Sequence, residues 1–175
     1  LIINQHINLK QKFITLQHLT STMKRRKFIK QAATGAAAVT ILPRHVLGGP
    51  GFIAPNDRIN IGYIGAGKQV YGLMRNISKC EGVVSVAACD VFRQKLDRLV
   101  DATTKNNTEL GLNHQVKGYH YYREMLERDD LDAVVIVTPD HWHAQMVVDA
   151  AKAGKDIFCE KPLAITVEGC DRILA

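Results

Sequence analysis

The sequence predicts an α/β fold, a doubly wound parallel sheet with helices on both faces, and three observations predict it. From Asn56 onward, short β-branched runs alternate with segments of helical apolar spacing, the pattern of strands joined by crossover helices. A Gly-x-Gly turn, Gly65-Ala66-Gly67, falls between the first such run and the first helical segment. An acid, Asp90, closes the second run 25 residues beyond Gly65.

The elements follow in order. Arg58–Ile64 (R-I-N-I-G-Y-I) is the first strand, and Lys68–Lys79 the first helix, with Val70, Leu73, Met74 and Ile77 on one face. Val83–Cys89 (V-V-S-V-A-A-C) is a second, buried strand. Phe92–Thr104 is a helix through Leu96, Leu99, Val100 and Thr103, and Asn106–His114 is polar enough to be a loop. A short strand at Val116–Tyr119 and a short helix at Tyr122–Arg128 precede the clearest strand, Ala133–Val137 (A-V-V-I-V). His143–Ala153 is a helix stopped by Gly154, Asp156–Cys159 a fifth strand, and Thr166 the N-cap of a helix running to Ala175. That last helix has no stop signal, so the chain is expected to be part of a longer protein.

Composition narrows the function classes. With 46% apolar residues over 175, the chain is neither disordered nor collagen-like. The net charge of +6 hints at nucleic acid, but its placement removes the hint. Residues 1–49 carry eight basic groups and no acid, which leaves 15 basic against 17 acidic groups in the other 126 residues, a net of −2. No nucleic-acid partner is expected.

The basic segment has its own organisation. Met23 is the first methionine, so residues 1–22 are expected to be a non-native or upstream extension. From there M-K-R-R-K-F-I-K leads into an alanine-rich stretch, and Ala32–Leu42, at 11 residues, is too short to span a bilayer, which takes about 20. The pair Arg25-Arg26 followed by Phe28-Ile29-Lys30 resembles a twin-arginine export signal. We therefore expect a signal over 23–49 read by the twin-arginine export machinery, a Gly/Pro-rich linker over 50–57, a periplasmic location and no stable membrane span. The competing reading is a basic arm in front of an alanine-rich helix.

The chemistry-bearing residues cluster at predicted strand ends, where ligands of such sheets sit. A helix opening after Gly65-Ala66-Gly67 offers free N–H groups and a positive dipole end to a pyrophosphate. Gly65 permits the tight turn and Gly67 a close backbone approach. Position 70, where a third glycine serves helix–strand packing, holds Val70, and Gly72 lies two residues on. Asp90 suits a ribose 2′-hydroxyl and repels a 2′-phosphate, so NAD is favoured. Arg93, one turn on, either stacks on adenine or softens that preference, which leaves NADP open. Read singly, the glycines are a plain turn and Asp90 a helix cap.

Thr138-Pro139-Asp140-His141-Trp142-His143 follows the fourth strand, with Thr138 and Asp140 able to cap the next helix. His141 and His143, two apart, do not share a helix face, and singly each is a capping or packing residue. After the fifth strand comes Glu160-Lys161-Pro162, where a lysine beside a nicotinamide can exchange a proton with a substrate hydroxyl. Taken alone, Lys161 is a surface lysine. Cys80, Cys89, Cys159 and Cys170 form no C-x-x-C and no ligand spacing with His, so no metal site is expected, and Cys89 and Cys159 fall in strands expected to be buried.

The series I-G-Y-I-G-A-G, C-D-V-F-R, V-T-P-D-H-W-H and A-G-K-D-I-F-C-E-K-P, spread over about residues 58–175, resembles the glucose–fructose oxidoreductase/inositol dehydrogenase/MocA (Gfo/Idh/MocA) family. The resemblance implies an NAD(P)-binding Rossmann domain over 58–175 and a C-terminal α/β substrate domain that this chain lacks. It implies Lys161 as the catalytic or substrate-orienting residue. Cofactor binding would fall to Gly65, Ala66, Gly67, Lys68, Gln69, Asp90 and Arg93, with Thr138, Pro139, His143 and Glu160 on the nicotinamide side. Val70, and Asp140 where the family often has Asn, depart from the pattern. The activity implied is hydride transfer between the nicotinamide and a sugar-like or polyol alcohol, in a protein that is a homo-oligomer at full length. Two alternatives remain: an NAD-dependent glycoside hydrolase of the same fold, whose cofactor is reduced and reoxidised within one turnover, and a non-catalytic NAD-binding domain.

Overall fold

A computed structural model describes residues 53–175, so the expected extension (1–22), the signal (23–49) and the start of the linker lie outside the described residues. The linker's last residues, Pro55–Asp57, form a 3-10 turn that leads into the first strand.

Five strands form one parallel sheet: β1 (Ile59–Ile64), β2 (Val83–Cys89), β3 (Lys117–Tyr119), β4 (Ala133–Ile136) and β5 (Asp156–Cys159), in the order β3-β2-β1-β4-β5. Helices α1 (Lys68–Ile77), α2 (Arg93–Glu109), α3 (Tyr122–Leu126), α4 (His143–Lys152) and α5 (Val167–Leu174) alternate with them. The winding reverses at β1, which has β2 on one side and β4 on the other. A crevice at the carboxyl ends of β1 and β4 follows from that reversal.

Burial on both faces explains the apolar runs. Six of the seven residues of β2 are buried, as are the last three of β4, without a polar alternation. On one face Tyr63, Val70, Met74, Leu96, Leu99 and Val135 pack under α1 and α2. On the other, Ile64, Val84, Tyr122, Met125, Val134, Ile136, Met146 and Val147 pack under α3 and α4. Val70, at the position of a third glycine, is fully buried, so the departure fills the core rather than weakening it.

Several expectations shift. The second helix runs to Glu109, not Thr104, and takes in the start of the expected loop over 106–114. The reason is a polar anchor: Asn107, 1% exposed, donates from Nδ2 to Ser85 O on β2 (2.8 Å) and to His114 O (3.2 Å). Thr138 and Asp140 do not cap the helix after β4. Asp140–Trp142 instead forms a 3-10 turn, and neither that turn nor α4 has a side-chain cap. Cys159 is only half-buried because β5 is the sheet edge. The Thr166 cap is present, its Oγ1 accepting from Gly169 N at 3.0 Å.

Candidate functional site

The glycine turn is built against the end of β4. Gly65 has φ +100°, and a Cβ there would lie 2.7 Å from Val137 O and 3.0 Å from Thr138 N. Only glycine allows both that backbone and that approach. Gly67 is the N-cap of α1, with no side chain capping the helix, and a Cβ on it would meet nothing within 4 Å. An uncapped ten-residue helix thus opens through glycine onto free space. That is the cradle a dinucleotide pyrophosphate requires, so the residues present fit the group.

Asp90 ties this turn to β2. Its Oδ2 accepts from Ala66 N and its Oδ1 from Phe92 N, both at 2.7 Å. The carboxylate therefore anchors the glycine turn and closes an Asx turn onto Phe92, and it is not the expected helix cap, since α2 starts after Phe92 with no side-chain cap. Arg93 is turned back along α2: its Nε lies 3.0 and 3.2 Å from the Asp97 carboxylate oxygens. Its guanidinium is thus paired on the surface of α2.

Two further loops complete the mouth. Glu160 N donates to Ile136 O at 3.0 Å, so the chain leaving β5 is still registered on β4. The Glu160 carboxylate accepts from Gln69 Nε2 at 3.3 Å and from Lys161 N at 3.1 Å. That contact joins the start of α1 to the end of β5 across the crevice. Lys161 is exposed, and its ammonium makes no ion pair among the described residues. Lys68 and Gln69 are exposed in the first turn of α1. Burial and then the neighbouring Glu160 charge push the Cys159 thiol up to about 11, so it stays protonated and is no nucleophile.

His143 departs from the expected placement. It is 1% exposed, with Nδ1 2.7 Å from Pro162 O and Nε2 2.9 Å from Thr138 O. Both ring nitrogens are engaged by backbone carbonyls, so no polar atom is left for a cofactor. Thr138 turns its hydroxyl to Met146 Sδ (3.4 Å), and Pro139 is exposed at the rim. Sequence reasoning missed the Gln69–Glu160 and His143–Pro162 contacts, since neither pairing leaves a local spacing signal.

Elsewhere, a groove of about 470 Å³ lined by Arg123, Leu126, Arg128, Asp149, Lys152 and Lys155 lies at the amino ends of β4 and β5, away from this crevice. Its charges answer one another, Arg123 with Asp149 and Arg128 with Asp130, while Lys155 Nζ donates to Arg128 O. Among the described residues, no group of three His, Cys, Asp or Glu is arranged to hold a metal. No helix among them is long and apolar enough to cross a membrane.

Comparison with known proteins agrees with this geometry. Residues 59–175 match the family described as an oxidoreductase family with an NAD-binding Rossmann fold, Gfo/Idh/MocA. A glycosyl hydrolase family 109 protein of Shewanella baltica is 34% identical over 165 residues, 86% of this chain and 36% of that protein. The crystal structure of myo-inositol 2-dehydrogenase from Lactobacillus plantarum aligns with a TM-score of 0.55 at 30% identity, covering 67% of this chain and 32% of that one. Scyllo-inositol dehydrogenase from Lactobacillus casei, solved with bound NAD(H) and scyllo-inositol, aligns with a TM-score of 0.54 at 30% identity, over 66% of this chain and 32% of that one. The chain thus spans about a third of the length of the relatives it matches.

Proposed function

The chain belongs to the Gfo/Idh/MocA oxidoreductase family, with its NAD-binding Rossmann fold, and from that premise we propose that it is the cofactor half of an enzyme oxidising a sugar-like or polyol alcohol. The observation that carries the reading is the convergence of the glycine turn, the β4 loop and Glu160-Lys161 on one crevice, where Gly65 touches Val137 and Gln69 reaches Glu160. When bound there, the nicotinamide supplies the hydride acceptor. Gly65, Ala66, Gly67, Lys68 and Gln69 hold the pyrophosphate, and Asp90 holds the adenosine ribose and disfavours a 2′-phosphate. Thr138, Pro139 and Glu160 wall the nicotinamide side. Lys161, exposed at the mouth, exchanges the proton of the substrate hydroxyl as the C–H bond is given up.

The experiment offers polyols and sugars with NAD to the protein at its natural length and follows the near-ultraviolet absorbance of reduced nicotinamide. Lys161→Ala is expected to lower turnover by about 10²–10⁴-fold while NAD still binds. Absence of oxidation of any alcohol, with cofactor bound, counts against the reading. A second reading is glycoside cleavage with the cofactor reoxidised in each turnover, favoured by the 34% identity to a family 109 glycosyl hydrolase. Release of free sugar without accumulation of reduced nicotinamide decides for it.

The same proposal extends to the address. Arg25-Arg26 with Phe28-Ile29-Lys30 supports export by the twin-arginine machinery to the periplasm, with the cofactor loaded beforehand. Replacing both arginines by lysine is expected to hold the protein in the cytoplasm. At full length we read it as a homo-oligomer, which sedimentation would test.

A further inference from the structure

We infer that His143 is a positioning residue, which sets Lys161 against the crevice by fastening the loop that carries it to the loop after β4. The inference rests on the reading of Lys161 as the residue that faces the nicotinamide. His143 is 1% exposed at the first position of α4, and its ring lies between the loops that follow the paired strands β4 and β5, beyond the last ladder bond from Glu160 N to Ile136 O. On one side Nδ1 meets Pro162 O at 2.7 Å, one residue beyond Lys161; on the other Nε2 meets Thr138 O at 2.9 Å. A carbonyl oxygen only accepts, so the ring must donate to it, and in the tautomer that carries its proton on Nδ1 the single N–H of a neutral imidazole goes to Pro162 O. No alkyl side chain reproduces either contact.

The surrounding contacts make His143 the pivot of this arrangement rather than one bond among many. Glu160 N, the last backbone donor before the loop, is fixed on Ile136 O. Beyond the loop, α5 is seated on α4: a Cβ on Gly169 would come within 3.4 Å of Ala144 Cβ, and Arg172 bonds Gln145 Oε1. Between those anchors, His143 supplies the hydrogen bond that draws the chain inward at Pro162. Lys161 itself is exposed, and its side chain has no ion pair among the described residues to hold it. Its direction is therefore set by the backbone on either side, and His143 controls one of those sides.

The test uses the chain itself with NADH as the probe. Lys161 is acetylated by an amine-reactive ester with and without NADH, the labelled peptide is quantified by mass spectrometry, and NADH affinity is measured by calorimetry. In the wild-type chain NADH slows labelling of Lys161. In His143→Ala we expect that protection to fall at least about threefold while the NADH dissociation constant changes less than that, since the glycine turn is untouched. Free imidazole added to His143→Ala is expected to restore protection. His143→Phe, which fills the volume without an N–H, is expected to behave like alanine, whereas His143→Gln, which keeps a donor, recovers part of the protection. This split separates positioning from packing, and the phenylalanine and glutamine variants carry the test where alanine does not fold. Full protection in folded His143→Ala or His143→Phe overturns the inference alone. NADH binding that leaves wild-type Lys161 unprotected, or no NADH binding, overturns the functional reading and the inference with it.

Discussion

Gly65 and Gly67 are two residues apart in sequence and opposite in physical role. Gly65 combines a positive φ with a Cβ position 2.7 Å from a backbone oxygen, so Gly65→Ala must move β1 away from β4. We expect a loss of about 2–4 kcal/mol in urea unfolding, with backbone strain and overpacking acting together. Gly67 has φ −72° and open space where a Cβ would go. Gly67→Ala should cost no more than about 1 kcal/mol, the difference between glycine and alanine as an N-cap, yet weaken NADH binding at least tenfold. Trp142 reports that binding directly, because it is the sole tryptophan and stands half-exposed in the turn after β4. Of this site, the glycine turn and Asp90 were legible in the sequence, since a strand-to-helix turn dictates glycine locally. The role of His143 was not. Its partners are backbone carbonyls 5 and 19 residues away, and a carbonyl has no residue-type signature.

At the scale of elements, the strand–helix alternation was readable because parallel strands covered on both faces must be apolar throughout. The end of α2 was hidden for the converse reason: its last buried contact is made by a polar side chain. Asn107→Leu keeps the branched shape but leaves the Ser85 and His114 carbonyls without their donor, and we expect it to cost about 1–3 kcal/mol in chemical unfolding. A second polar anchor couples α3 to α4. Asp149 accepts from Tyr122 Oη (2.6 Å), Gln145 Nε2 (2.8 Å) and Arg123 Nη2 (2.7 Å). Burial raises its carboxyl, but these donors together outweigh burial and hold it below the usual carboxylate range. The Tyr122 hydroxyl, pushed up to about 12 by burial and then by Asp149, remains a donor at neutral pH. Because the Asp149 pKa is lower folded than unfolded, its contribution is complete above the unfolded value of about 4 and is lost as pH falls through the folded value. Asp149→Asn should therefore lower stability near pH 7 and flatten the acid limb of the stability–pH curve, read by urea midpoints at several pH values.

For the whole molecule, the charge and the sheet order bear on one question, which dinucleotide the crevice prefers. Residues 1–49 carry +8 and the remainder is net −2, so no general positive field of the domain favours the extra phosphate of NADP. At the crevice the local charges point the same way: Asp90 closes β2 with its oxygens fixed by Ala66 N and Phe92 N, while Arg93 is paired with Asp97. Both core faces close on β1 and β4, the strands that end at the crevice, so a ligand there is linked to the stability of the whole sheet. A ligand at a hundred times its dissociation constant stabilises the fold by about 2.7 kcal/mol, which for a domain of this size raises the melting temperature by on the order of 10 °C. We expect NAD to produce that shift and NADP at equal concentration a clearly smaller one. Asp90→Ser should narrow the difference, but from a lower starting temperature, because the same carboxylate anchors the glycine turn. Asp97→Asn frees Arg93 without touching that anchor, so it should narrow the difference from an unchanged start. Equal shifts for the two cofactors in the wild-type chain would mean that the Asp90 carboxylate, with both oxygens engaged by the backbone, does not discriminate at the ribose.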